Sequence, residues 1–309
     1  MYHPYLRGKQ NELILLRENA KLLATAEMIP IIEPVKKNLA PLEKAINELV
    51  KENVNFILII NPRNGDFINN SLPLFTSLID NILVHYDKYC LGYIVDAESN
   101  LIDIKSFLDD NKNRKITFIH NGYPKAKDLG EILNIFDNVI KHIFLDDQIL
   151  YRRQFNKSNA EKVLIKDGFR KGRNKDYPDV ESFSELHLTY KELGLNGFGD
   201  FLIVGDEYSE TGGPAYAVAI HLTYFNEDEV MYIRHFVSDK NDTPTDPAGK
   251  FAEALAKLVK RVEKDNLIFK SDAYRQYKDF HERGHFPGLG VVKKLSMQHH
   301  IETLAQFLE

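Results

Sequence analysis

Six polar residues recur at one kind of position in this chain. Glu33, Asn61, Asp96, His120, Asp146 and Asp206 each follow a short apolar run, and a loop begins at or just after each of them. Carboxylates gathered with an imidazole and an amide can move protons, or can hold a hard divalent cation such as Mg²⁺ or Mn²⁺ through oxygen. Glu33, Asp96, His120 and Asp206 are therefore the candidate acid–base groups. Glu33, Asp96, Asp146 and Asp206 are the candidate metal ligands. Any one polar residue can end a strand as a cap or turn former, so it is the set of six that points to a site.

Anion-binding residues accompany them. Arg7 and Lys9 open the chain's first helical stretch, and Asn61 belongs to the set above. Arg170, Lys171 and Arg173 lie in a segment, 152–175, that carries nine cations against Glu161 and Asp167, a net +7 on a chain of formal charge −5. Phe169, Tyr177 and the glycines Gly168 and Gly172 interleave with these cations, a pattern suited to phosphate contacts with base stacking. A solvated charged loop has the same composition. The Gly-rich stretch 205–214 offers backbone N–H groups to a phosphate but matches neither a P-loop nor a dinucleotide fingerprint. No HExxH, Cys–His or Gly-x-Ser-x-Gly spacing occurs. His299 and His300 are adjacent on a predicted helix and point about 100° apart, so they read as packing or surface residues.

What must position these residues is a series of strands alternating with amphipathic helices. The apolar runs 28–32, 56–60, 91–95, 116–119, 143–145 and 201–205 read as strands, with a further short one at 163–165. Helical periods occupy 10–24, 41–51, 73–86, 101–109, 127–138 and 180–193. Continuous apolar strands alternating with helices predict a parallel sheet, and at 309 residues a TIM-barrel-like (β/α) barrel is the economical form. Its ligands would bind at the strand C-termini. After Asp206 the rhythm changes: 215–223 and 230–237 read as an antiparallel hairpin around 226–229, followed by helices at 250–264, 272–282 and from 292 on. The expected organisation is one domain, 1–309, with a basic insertion at 148–178 and a hairpin at 215–237. The single cysteine, Cys90, excludes a disulfide framework within the chain. No apolar stretch approaches the ~18–20 residues of a membrane span, and the start lacks a signal sequence, so no membrane partner and a cytoplasmic location are expected.

Several of these segments together resemble a known family. Tyr5-Leu6-Arg7-Gly8-Lys9-Gln10, with Glu12 and Leu13, is followed by Ile29-Pro30-Ile31-Ile32-Glu33-Pro34, Val95-Asp96 and Gly205-Asp206. Near the end, Gly288-Leu289-Gly290 precedes Ser296-Met297-Gln298-His299-His300. The whole resembles the "beta protein" family of bacteria and phages, many of whose members have no known function. The resemblance covers most of the chain. It implies a barrel-like fold with Arg7, Lys9, Glu33, Asp96 and Asp206 on the rim, and a connection to phage conflict or antiviral defence. It carries no catalytic mechanism.

Two functions of different kinds remain open at this point. One is an enzyme acting on a phosphorylated substrate, a nucleotide or nucleic acid, by metal-assisted hydrolysis at the carboxylate ring. The other is a non-catalytic module that docks nucleic acid or a partner protein through 152–175, with Tyr151, Phe155, Phe169 and Tyr177 as exposed aromatics.

Overall fold

A computed structural model describes the whole chain except residues 69–71, 146, 158, 211 and 309. Its contacts divide the chain, read above as one domain, into two compact units: 1–166 with 189–200, and 167–188 with 201–309.

The first unit is a closed, all-parallel barrel of eight strands. In order these are β1 (Tyr2–Leu6), β2 (Ile31–Ile32), β3 (Phe56–Ile59), β4 (Tyr89–Asp96), β5 (Ile116–Asn121), β6 (Val139–Phe144), β7 (Glu161–Ile165) and, after a strand β8 (Val180–Ser184) that belongs to the other unit, β9 (Gly197–Asp200). Between the barrel strands run α1 (Gln10–Glu18), α2 (Ala20–Thr25), α3 (Ala40–Lys51), α4 (Leu72–Leu74), α5 (Leu101–Asp110), α6 (Ala126–Leu133) and α7 (Ile149–Arg152). Among the described residues no helix is long and apolar enough to cross a membrane.

Side-chain direction alternates along each strand, and contacts fix which set faces inward. Lys141 on β6 places Nζ 3.2 Å from Nε2 of His3 on β1, two strands that are not neighbours, so both point into the barrel. Tyr5 shares the parity of His3. On β5 the ring of Phe118 meets Phe107 of α5 edge-on at 6.4 Å, so Phe118, and with it His120, lies on the outer face under the helices.

Two barrel strands differ from the sequence reading, each for a local reason. β1 carries Pro4, which lacks a ladder N–H and ordinarily argues against an interior strand. The closing strand is 197–200 and not the apolar run 201–205, which forms a turn. Its sequence Gly-Phe-Gly-Asp has little strand character, but a Cβ at Gly199 would come within 2.0 Å of the His3 carbonyl oxygen. Only glycine permits the close approach that shuts the barrel. The expected helix at 73–86 is reduced to α4 and a single π-turn at Phe75–Ile79.

The second unit is a three-stranded antiparallel sheet covered by helices. β10 (Ala219–Phe225) and β11 (Met231–Val237) form the expected hairpin, and β8 adds to β11 as a third strand. The span 180–193, expected as a helix, is thus β8 followed by the short α8 (Leu186–Thr189). The chain continues as α9 (Pro247–Val262), α10 (Asp272–Arg283) and α11 (Leu289–Leu308). Ile220, Leu222, Phe251, Leu258, Tyr274 and Leu295 share this unit's own apolar core. His299 packs within it: Nε2 donates to the Thr223 carbonyl at 2.9 Å, so Nδ1 accepts from the Ser271 hydroxyl at 2.7 Å. Burial pushes its pKa down to about 4.

Candidate active site

Glu33 directly follows β2 and is 1% exposed. Three hydrogen-bond donors and one guanidinium, from the two segments 5–7 and 63–64, converge on its carboxylate. The Tyr5 hydroxyl donates to Oε2 at 3.0 Å, and the Arg63 backbone N–H donates to Oε1 at 2.8 Å. The Asn64 side-chain amide lies 3.0 and 3.2 Å from the two oxygens. Arg7 brings Nε to 3.7 Å from Oε2, with its guanidinium 5.6 Å from the centre of the Tyr5 ring.

Asp96 ends β4. Its Oδ1 accepts from the Ser99 hydroxyl at 2.9 Å and from the Glu98 N–H at 3.1 Å. Arg63 donates Nε to Oδ2 at 2.5 Å, and its Nη2 donates to Ser99 Oγ at 3.0 Å. One residue therefore joins the two carboxylates, Arg63 using its backbone for Glu33 and its side chain for Asp96. Charge-assisted bonds of this kind are short and strong.

The loop that carries Arg63 is held by a glycine. Gly65 has φ +74°, and a Cβ there would lie 2.1 Å from the Val35 carbonyl oxygen, which accepts the Asp66 N–H at 3.0 Å. Gly65→Ala is expected to cost about 1–3 kcal/mol through the strained backbone alone. Because it must also push the loop off Val35, it is expected to loosen Arg63 from both carboxylates. Thermal unfolding, together with hydrogen exchange at the Arg63 amide, reads both effects; unchanged exchange would show that the loop is not held in this way.

The remaining sequence candidates separate. Asn61 serves the scaffold: its Nδ2 donates to the Ile94 carbonyl at 2.9 Å and its Oδ1 accepts the Ile94 N–H at 2.8 Å, continuing the β3–β4 ladder with a side chain. Lys9 is the residue preceding α1, two positions from Arg7. His120, expected as an acid or base on the rim, faces outward. Its Nε2 is 3.0 Å from Nδ1 of His142, its Nδ1 is 2.9 Å from the Tyr151 hydroxyl, and its ring stacks on Phe144 at 4.7 Å. Burial holds His120 well below the ordinary imidazole range and takes His142 to about 3. Asp206 belongs to the second unit, where it follows a turn and its N–H donates to Asp167 at 2.7 Å. Asp146 lies outside the described residues.

The basic segment is likewise divided at 166/167 between the units. In the second, Arg170 lies 3.8 Å from Glu181, Lys171 3.5 Å from Glu207, and Arg173 2.6 Å from Asp176. Phe155 and Phe169 are buried, and Tyr151 and Tyr177 are half-buried, so none of the four is the exposed platform expected from the sequence. Tyr177 stacks on His235 with ring centres 4.6 Å apart.

No protein-family model matches the chain, and no curated protein matches its sequence. What the site can do rests on its geometry. Tyr5, Arg63, Asn64 and Ser99 complete it and were missed in the sequence. The turn-forming string Asn61-Pro62-Arg63-Asn64-Gly65 directly after an apolar strand was the available signal, since loops there line a barrel mouth. The donor set does not fit a cation at Glu33, because O–H and N–H groups already point at both of its oxygens. Among the described residues, no three His, Cys, Asp or Glu side chains are grouped as a metal set.

Proposed function

We propose that the barrel unit is an enzyme acting on a phosphorylated substrate, a nucleotide or nucleic-acid ester, bound at the C-terminal mouth of its strands. The observation that carries this reading is the Arg7–Glu33–Arg63–Asp96 constellation, two guanidinium groups and two carboxylates tied together where barrel strands end. Planar guanidinium groups recognise phosphate oxygens, and here their partners have already fixed their orientation. Glu33 is saturated by donors and acts as the positioning group. Asp96, less deeply buried than Glu33 and ending its strand, is the acid–base group. The alternative of a docking module built on 152–175 lacks the exposed aromatic platform it calls for, since Phe155 and Phe169 are buried and Tyr151 and Tyr177 are half-buried.

The test is thermal unfolding against a panel of nucleotides and short oligonucleotides, followed by turnover assays on whichever compound stabilises the protein. Arg63→Ala is expected to weaken binding roughly 10- to 150-fold, the loss of one charge-assisted contact. Asp96→Asn is expected to retain binding and lose turnover. Equal affinity in wild type and Arg63→Ala would remove the phosphate from the mouth.

A further inference from the structure

The second unit contains an ordered chain of three titratable groups. Nε2 of His235 on β11 lies 3.1 Å from Oε1 of Glu181 on β8, and its Nδ1 lies 2.7 Å from Nδ1 of His221 on β10. The sheet itself enforces this order, because His221 and His235 are directly opposed across the hairpin. An ionised carboxylate only accepts, so His235 carries its proton on Nε2 and its Nδ1 is an acceptor. His221 must then carry its proton on Nδ1. That leaves a lone pair on Nε2 of His221, and among the described residues nothing hydrogen-bonds to that atom.

We infer that Glu181, His235 and His221 form a proton relay, and that Nε2 of His221 is a general base for a small, protic, anionic ligand in the second unit. When Nε2 takes a proton from a ligand O–H, His221 passes its Nδ1 proton to Nδ1 of His235. The positive charge then rests on His235 against the Glu181 carboxylate, and His221 returns to neutrality. The ligand keeps the electron pair of the broken O–H bond, so atoms and charge balance. The carboxylate thus strengthens a base two rings away, in the manner of an orienting third group behind a nucleophile's base. Burial keeps both imidazoles neutral, the state a base requires.

Cationic and aromatic neighbours define what reaches it. Lys293 of α11 exerts a positive field on His221, and Arg170 lies 3.8 Å from the other oxygen of Glu181. Phe169 and Tyr177 meet His221 edge-on at 5.1 and 5.0 Å, so the 169–177 stretch forms the wall of the site. His221 retains 8% exposure beside that wall. Positive charge beside an aromatic wall favours a compact anion.

The test is acylation of the folded protein by diethyl pyrocarbonate, which at histidine reacts with an unprotonated, reachable ring nitrogen, with modified residues mapped by peptide mass spectrometry. His221 is expected to react at least tenfold faster than His299, whose two nitrogens are both bonded. Inorganic phosphate is expected to slow it where sodium chloride at equal ionic strength does not. Glu181→Gln, checked for folding by circular dichroism, is expected to slow the reaction at His221 at least fivefold. A His221 rate no greater than that of His299, no protection by phosphate, or an unchanged rate in Glu181→Gln would each overturn the inference. Should Glu181→Gln fail to fold, long-range ¹⁵N–¹H spectra of the wild type decide: His221 protonated on Nε2 instead of Nδ1 sinks the relay.

Discussion

Replacing Glu33 by alanine is expected to destabilise the barrel unit by about 3–5 kcal/mol, a fall in Tm of about 6–20 °C for a unit of this size. The carboxylate is the common acceptor for the Tyr5 hydroxyl, the Arg63 N–H and the Asn64 amide, with Arg7 beside it. Removing it takes a negative charge from beside a nearly buried guanidinium and one shared acceptor from several donors, and losing the acceptor of a buried donor costs more than the bond itself contributes. Glu33→Gln keeps an oxygen for one set of donors but turns an NH₂ toward the other, and is expected to lose about 1–3 kcal/mol. Denaturant unfolding of the three proteins measures the series. A loss below about 1 kcal/mol for the alanine variant would mean that water replaces the carboxylate and that the mouth is far wetter than its burial indicates.

Acid is expected to destabilise the protein steeply below about pH 6.5. His3, His120 and His142 in the barrel unit are buried with pKa values pushed down by desolvation, His142 to about 3. His221 and His299 in the second unit are depressed in the same way, His299 to about 4. These groups are bases whose folded pKa lies below the unfolded value of about 6.5. As pH falls through 6.5 the unfolded chain takes up protons that the folded chain refuses, and stability falls until the folded pKa is reached. Each such histidine contributes about 1.4 kcal/mol per pH unit. Two or three acting together in the barrel unit remove about 3–4 kcal/mol per unit, enough to consume a typical 5–15 kcal/mol within a few pH units. Far-UV circular dichroism with potentiometric proton counting should find a transition between about pH 5 and 3.5, with uptake of several protons. A folded protein at pH 3 would show that these imidazoles accept protons in place.

Most of the barrel was legible because β3, β4 and β5 are uninterrupted apolar runs between amphipathic helices, and neither signal depends on distant residues. β1 and β9 were not, for reasons that lie far away in sequence. Pro4 and the glycines of β9 look like strand breakers until β1 and β9 are brought together, when the missing Cβ atoms become the condition for pairing. The site was half visible for a similar reason. Glu33 and Asp96 announce themselves at strand ends, but periodicity does not tell whether a strand-terminal side chain points in or out, so His120 was read as a rim residue. Asp206 was carried along by a false strand at 201–205. Arg63 lies in a loop, and only the position of that loop makes its backbone and side chain serve different carboxylates.

The order in which the chain leaves a ribosome gives β8 a consequence of its own. Synthesis runs from the N-terminus at a pace comparable with domain folding, and β8 emerges before β9, the strand that closes the barrel against β1. The partner of β8, β11, lies almost fifty residues further on. A nascent chain ending near residue 200 therefore holds every barrel strand while β8 hangs as an unpaired edge, open to intermolecular pairing. For the same reason no single cut in the gene liberates either unit intact: a barrel expressed alone must have 167–188 replaced by a neutral linker between β7 and β9.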